Sequence, residues 1–271
     1  MDYIYSIILG IVQGLAEFWP ISSSGHLVIA HELLHFDFVD NLSFDVALHL
    51  GTLVALFILF AKDIYKYIVA WLKSFANWDL RNNLDQRVAW FIVVSSMPAG
   101  VVGYFIEDLA ETVFRDLWLV ALLLIGVGVL FIVFEKISQK IKELDQMDWR
   151  TAIIIGLAQV LALVPGVSRS GITILAGLSQ GLRRAVAARF SFLLAVPVVF
   201  GAGLKKLYDL STAGLASNEW LIMVVGFLSA AIVGYLAIRF LLKYLENHSL
   251  NVFAYYRFLL GAVVIIYLLA R

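Results

Sequence analysis

The chain has 271 residues, of which 62 % are hydrophobic and 15 % charged, and its mean hydropathy is +0.92. That composition excludes an ordinary soluble domain and points to a polytopic membrane protein. Basic and acidic residues balance at 20 each, so nothing suggests a nucleic-acid partner, and the lack of cysteine excludes disulfides and thiolate chemistry.

The N-terminal "MDYIYSIILG" has neither a basic leader nor a small-residue cleavage site and reads as mature protein. A crossing helix needs ~20 mostly apolar residues. Tyr3 to Trp19 falls short, carries Gln13 and Glu17, and stops at Pro20; after the turn "SSSGH" a second brief run covers Leu27 to Phe36. Spans are predicted over Phe44 to Ala61, Val88 to Phe105 and Leu117 to Phe134. Ala152 to Val164 is again short, stops at Pro165-Gly166, and is followed by "SRSG" and the run Ile172 to Leu182. Phe190 to Leu204 is a shorter sixth span beside Trp220 to Leu242 and Val252 to Ala270. The two short pairs read as re-entrant helical hairpins.

An ungapped shift of 146 positions lays "ILGIVQGLAEFWPISSSG" over "IIGLAQVLALVPGVSRSG", pairing Gly10 with Gly156, Gln13 with Gln159, Ser22 with Ser168, Ser24 with Ser170 and Gly25 with Gly171. The expectation is an all-α membrane protein forming one domain over residues 1–271, built from two repeats, about 1–135 and 151–271. Each repeat is one hairpin plus three spans. Three crossings per repeat is an odd number, so the second repeat sits inverted relative to the first. One side gathers Lys62, Lys66, Lys73, Arg81, Arg87, Lys136, Lys140, Lys142, Arg150, Arg183, Arg184, Arg189, Arg239 and Lys243; the other has Arg115, Lys205, Lys206 and Arg271. The positive-inside rule makes the first group cytoplasmic and puts both termini and the first hairpin's opening outside. The tryptophans near span ends fit an interfacial belt.

Non-helical backbone in the membrane must line protein or a wet cavity, because unpaired amides in lipid cost several kcal/mol each. Both Ser/Gly turns precede a half-helix, whose N-terminal amides and dipole favour an anion. Arg169 at mid-membrane costs at least ~2.5 to 3.5 kcal/mol unless an anion offsets it, and its fork suits phosphate or carboxylate. A structural ion pair with Glu17 is the competing explanation. Glu17 stands where the second repeat has Leu163, so this hairpin carries a carboxylate that duplication did not require. Gln13, one turn earlier on the same face, either orients Glu17 or shares a metal's water, or else bonds across the repeat interface with Gln159. His26 can serve as acid, base or nucleophile. Ser22, Ser23 and Ser24 can all be capping residues. His31, His35 and His248 read as interfacial and His49 as a polar span residue.

"QGLAEFWPISSSGH" resembles the (E/Q)xxxE motif and serine-rich turn of the bacterial undecaprenyl-diphosphate phosphatase family, also called the bacitracin-resistance protein family, and "PGVSRSGIT" resembles its second motif. The similarity runs the whole chain, including "FDVALHLGTLVAL" and "ARFSFLLAVP". It implies removal of the terminal phosphate of a polyprenyl diphosphate, recycling the carrier lipid for cell-wall polymers in the bacterial inner membrane, with Mg²⁺ or Ca²⁺ as cofactor. By motif position, Glu17, Ser23, His26 and Arg169 are the catalytic set and Gln13 with Glu17 the metal ligands. Ser22, Ser24, Gly25, Ser168, Ser170, Gly171 and Thr173 are the phosphate-binding support. Gln13 leaves one carboxylate where the motif also admits two. The implied partners are the lipid substrate and surrounding membrane lipids, with a homodimer left open. A lipid flippase or anion transporter on the same inverted-repeat plan is the alternative. The type 2 phosphatidic-acid phosphatases share "SGH" and "SR" but need a histidine after the arginine, and none follows Arg169 before His248.

Overall fold

The structure is a computed structural model describing residues 2–34, 41–106, 114, 116–213 and 219–271; His35 and Arg115 lie outside these. The described residues form ten α-helices and no strand: α1 (Asp2–Phe18), α2 (Ser23–Leu34), α3 (Asn41–Ser74), α4 (Leu84–Phe105), α5 (Leu117–Ile137), α6 (Trp149–Val160), α7 (Arg169–Ser179), α8 (Arg184–Ala213), α9 (Glu219–Asn247) and α10 (Asn251–Ala270). Six of them, α3, α4, α5, α8, α9 and α10, are long and apolar enough to cross a bilayer. The chain is a multi-pass membrane protein.

Two spans, α3 and α8, outrun the expected bounds furthest. The apolar stretch of α3 ends near Ala61, and the helix kinks there at Phe60 (φ −102°, ψ 15°) before continuing to Ser74. This extension is held by ion pairs to its neighbours, Lys66 with Asp85 at 2.9 Å and Asp63 with Arg189 at 2.7 Å. Hydropathy reports where lipid ends, whereas the helix ends where its hydrogen-bond ladder stops. For the same reason α8 begins at Arg184, six residues before the apolar run that announces it.

The short helices pair as α1 with α2 and α6 with α7. Asp148 caps α6, its Oδ1 accepting from the Thr151 amide at 2.8 Å. After α7 the chain returns beside its start: the Ile141 and Lys142 amides donate to the Gly181 carbonyl at 3.0 and 2.9 Å, and the Arg183 amide donates to the Lys142 carbonyl at 3.0 Å. The two ends of the α6–α7 pair therefore share one side of the molecule.

Small residues allow the closest approaches. A Cβ on Gly10 would lie 2.6 Å from the Gly226 carbonyl oxygen, and one on Gly14 would lie 2.8 Å from the Gly234 nitrogen, so α1 lies directly on α9. In the other half, Gly156 of α6 meets Ser95 of α4, where a Cβ would come within 2.8 Å of the Ser95 Cα. Such small-residue seams replace the hydrophobic drive that lipid removes. The main apolar core, with Phe18, Phe91, Phe131, Phe190 and Phe192 fully enclosed, surrounds the two turns.

Candidate active site

The turns joining α1 to α2 and α6 to α7 meet inside the bundle. Ser22 and Ser168 both hold positive φ, 74° and 76°, a region that non-glycine residues seldom occupy. They are equivalent under the 146-residue shift. In each, the side-chain hydroxyl turns back to accept an amide of the following helix, Gly25 N to Ser22 Oγ at 3.3 Å and Gly171 N to Ser168 Oγ at 3.1 Å. Ser22 Oγ also accepts the Gly166 amide of the other turn at 3.1 Å, and Ser170 Oγ donates to the Trp19 carbonyl at 3.4 Å. Ser24 Oγ stands 3.5 Å from Ser22 Oγ, and Ser168 and Ser170 hydroxyls are 3.2 Å apart. Gly25 and Gly171 are closely packed: a Cβ would come to 3.2 Å of Ser22 Oγ at the first and 3.0 Å of Phe131 Cζ at the second, so either neighbour would have to shift to admit one.

Glu17, the last acidic residue of α1, is buried and gathers donors. Its Oε1 accepts from Arg169 Nη2 at 3.0 Å; its Oε2 accepts from Gln13 Nε2 at 3.0 Å and from Ser23 Oγ at 2.8 Å. Arg169 Nη1 donates to the Ser191 carbonyl of α8 at 3.2 Å. These contacts use part of a guanidinium that carries five N–H groups. Thr173 does not face the ion pair with its hydroxyl, which donates to the Arg169 carbonyl at 2.7 Å and lies 2.6 Å from Ser191 Oγ; it braces α7 against α8.

The structure therefore brings Gln13, Glu17, Ser23 and Arg169 into one network. His26 is not in it. Its Nδ1 lies 2.7 Å from the Ser22 carbonyl oxygen and its Nε2 lies 2.7 Å from Tyr256 Oη, so both ring nitrogens are engaged away from Glu17 and Arg169. His49 stands closer to the carboxylate, with Nε2 3.7 Å from Glu17 Oε2 and Nδ1 2.7 Å from the Asp45 carbonyl oxygen. His31, expected at the interface, is largely enclosed and pairs with Asp45 Oδ1 at 2.9 Å.

Two further residues escaped sequence reasoning. Ser191 was hidden in the apolar run "ARFSFLLAVP", whose fragment "RFSF" gives no polar pattern. Arg257, in "AYYRFLLG", is fully buried on α10 and donates to carbonyls of both turns: Pro20 at 3.2 Å, Gly166 at 2.6 Å and Val167 at 3.3 Å, with Leu123 and Leu124 of α5 at 3.3 and 3.0 Å. A lone arginine within a predicted span was the available signal.

Chemically, the arrangement offers a hydroxyl on a carboxylate, a guanidinium with spare donors, and the amino ends of two half-helices. Comparison with known proteins agrees with that chemistry. The profile of the bacitracin resistance protein BacA family matches residues 6–263. The chain belongs to this family. Similar proteins named undecaprenyl-diphosphatase include that of Rubrobacter xylanophilus, 46 % identical over 97 % of each chain, and that of Desulforudis audaxviator, 44 % identical over the full length of both. Another, from Methanosphaera stadtmanae, is 42 % identical over 98 % of each. In this member, residues 13 to 17 read "QGLAE", with the glutamine of the (E/Q)xxxE pattern donating to the glutamate.

Proposed function

We propose that the chain is an undecaprenyl-diphosphate phosphatase, removing the terminal phosphate of the C55 polyprenyl diphosphate so that the carrier lipid returns to cell-wall polymer synthesis, which confers bacitracin resistance. The observation that carries this reading is the contact of Ser23 Oγ with Glu17 Oε2 at 2.8 Å, beside Arg169. A structural ion pair alone has no use for a half-exposed serine donating to its carboxylate.

In the reaction, Ser23 Oγ attacks the terminal phosphorus; the Oγ–P bond forms as the bond from phosphorus to the bridging oxygen breaks, and the polyprenyl monophosphate leaves with that electron pair. The serine proton passes to Glu17 Oε2. Glu17 passes that proton to the departing polyprenyl monophosphate and is a base again; water then attacks the phosphoserine as Glu17 takes its proton, the Oγ–P bond breaks as inorganic phosphate leaves, and Glu17 returns the proton to Ser23 Oγ. Arg169 and the first-turn amides of α2 and α7 hold the phosphoryl oxygens, the kind of electrostatic stabilisation that dominates such transfers. Ser22, Ser24, Gly25, Ser168, Ser170, Gly171 and Thr173 shape the two turns around that anion.

A hard divalent cation, Mg²⁺ or Ca²⁺, suits oxygen ligands supplied by a carboxylate and substrate phosphates. Gln13 Oε1 fits this requirement: it is buried one turn from Glu17 without a hydrogen-bond partner among the described residues. Glu17 and Gln13 would hold the ion, which supplies neutralisation of charge on the diphosphate. No cluster of three or more His, Cys, Asp or Glu exists among the described residues, so the ion's other ligands would be substrate and water oxygens.

The same reading includes two inverted repeats with re-entrant hairpins. Supporting it, α1 packs on α9 and α6 packs on α4, so the first helix of each short pair lies against the second span of the other half. The joined ends of α6–α7 also support re-entry. An apolar cleft of about 400 Å³ between α3, α4 and α8, lined by Phe57, Trp71, Leu193 and Phe200, suits a polyprenyl tail that never leaves the membrane.

The test is phosphate release from polyprenyl diphosphate by purified protein in detergent. Arg169→Ala, Glu17→Ala and Ser23→Ala are each expected to lose at least about a hundredfold in turnover. Acid-quenched wild type is expected to carry a phosphoryl group on Ser23 by mass spectrometry. Near-normal turnover in the Arg169 or Glu17 variant would remove the assignment, and protein that binds the lipid yet releases no phosphate would point to a flippase.

A further inference from the structure

Nothing in the motifs explains Tyr256, yet its hydroxyl reaches His26. The two rings are nearly parallel, at 5°, with centroids 5.6 Å apart, and Oη lies 2.7 Å from Nε2. At the other edge of the imidazole, Nδ1 lies 2.7 Å from the Ser22 carbonyl oxygen. A carbonyl can only accept, so Nδ1 carries the hydrogen. In the neutral ring Nε2 is then a lone pair, and Tyr256 must be the donor to it. The pair of contacts selects the Nδ1–H tautomer, opposite to the form that predominates for free histidine in water.

The consequence reaches Ser23 through the backbone. The Ser22 carbonyl belongs to the peptide plane that enters Ser23, and it accepts both the His26 ring and the His26 amide, the latter at 3.1 Å. Ser22 itself sits at φ 74°, a conformation that persists only where surrounding contacts over-determine it. Arg257, the next residue of α10, ties the same turn at the Pro20 carbonyl. Titratable groups facing His26 are thus Tyr256 and Arg257 of α10, while Glu17 and Arg169 bond elsewhere.

We propose that Tyr256 is a positioning residue of the site: by donating to His26 Nε2 it fixes the Nδ1–H tautomer, which in turn fixes the Ser22 carbonyl and the peptide plane presenting Ser23 to Glu17. The consequence for turnover rests on the phosphatase reading above; the tautomer does not. Tyr256 is 41 % exposed, so Tyr256→Phe keeps the ring and removes only the hydroxyl.

The experiment uses the full chain in detergent, with ¹⁵N-labelled histidine and His26→Gln to assign the His26 signals among the five histidines. Long-range ¹H–¹⁵N correlation at roughly pH 8, where an ordinary imidazole is neutral, reads the tautomer. The wild type is expected to show protonated Nδ1 and bare Nε2 at His26, and Tyr256→Phe to show a mixture. Turnover of the variant is expected to fall about fivefold to twentyfold with KM changed less than about twofold, the pattern of lost positioning rather than lost binding. A protonated Nε2 in the wild type, or unchanged spectra and turnover in Tyr256→Phe, would overturn the proposal. Wild type that shows the expected tautomer but releases no phosphate would instead overturn the reaction and leave the His26–Tyr256 pairing standing.

Discussion

A single arginine ties together parts of the chain that lie far apart in sequence. Arg257 reaches carbonyls 90 to 237 residues away, on both turns and on α5, and its contacts with Pro20, Leu124, Gly166 and Val167 are buried. Losing its side chain strands several acceptors at once, and each buried acceptor left unpaired costs about 1 to 3 kcal/mol. Arg257→Met, close in length and apolar, is therefore expected to destabilise the protein by at least about 3 kcal/mol, more than any single serine variant of the turns. Thermal unfolding in detergent checks this, with Arg257→Lys expected to fall between the two because an ammonium can satisfy fewer carbonyls in fixed geometry. A melting temperature unchanged in Arg257→Met would mean the turns hold themselves. Glu17 and Arg169 were legible in the sequence because their charge stood out beside Ser/Gly turns at a repeat register. The places of His26 and His49 were not legible. Which histidine faces the carboxylate depends on the rotation of α2 and α3 about their axes, and short polar patterns do not encode that rotation.

At the scale of helices, the seams carry the geometry that the site needs. Gly51 of α3 has no space for even a methyl group, since a Cβ there would come within 2.3 Å of the Phe227 carbonyl oxygen of α9. That oxygen is backbone and cannot swing aside. Gly51→Ala is expected to push α3 from α9 and cost about 1 to 3 kcal/mol, the range of overpacking. Because His49 precedes Gly51 by two residues on the same helix, turnover should fall as well. Gly100→Ala in α4 is the control: nothing lies within 4 Å of its Cβ position, and removing a helical glycine there should be neutral or stabilising by up to about 1 kcal/mol. Paired melting curves decide it, and equal effects from both substitutions would deny the seam its role. Six spans and two short helix pairs were readable from apolar length alone, but which helices touch was not. The α1–α9 and α4–α6 seams use small residues that look unremarkable in an apolar run until a partner backbone is placed against them.

Taken as a whole molecule, the chain gathers four of its ion pairs into one polar layer: Lys66 with Asp85, Arg189 with Asp63, Arg184 with Glu135, and Arg183 with Glu143. These join the α3–α4 connection, the start of α8 and the segment before α6, so that layer must lie on one side of the bilayer. Basic residues concentrate there, and by the positive-inside rule we propose that this layer faces the cytoplasm. Arg271 pairs with Glu32 at the other end of the bundle, where α10 finishes. Because the natural chain contains no cysteine, single-cysteine variants report their side without background. Asn82→Cys, Asp145→Cys and Asn247→Cys replace exposed residues of the polar layer and are expected to react with a membrane-impermeant maleimide only after cells are opened. Asp2→Cys is expected to react on intact cells. Residue 145 precedes α6 and residue 247 ends α9, so shared protection of these two places the α6–α7 pair and the end of α9 on one side, as an inverted second repeat demands. Labelling of Asp145→Cys from outside while Asn247→Cys stays protected would mean the α6–α7 pair crosses the membrane, since only the two spans α8 and α9 lie between that pair and residue 247. The proposal that the two turns enter from opposite faces and meet at the Glu17–Arg169 pair would then fall.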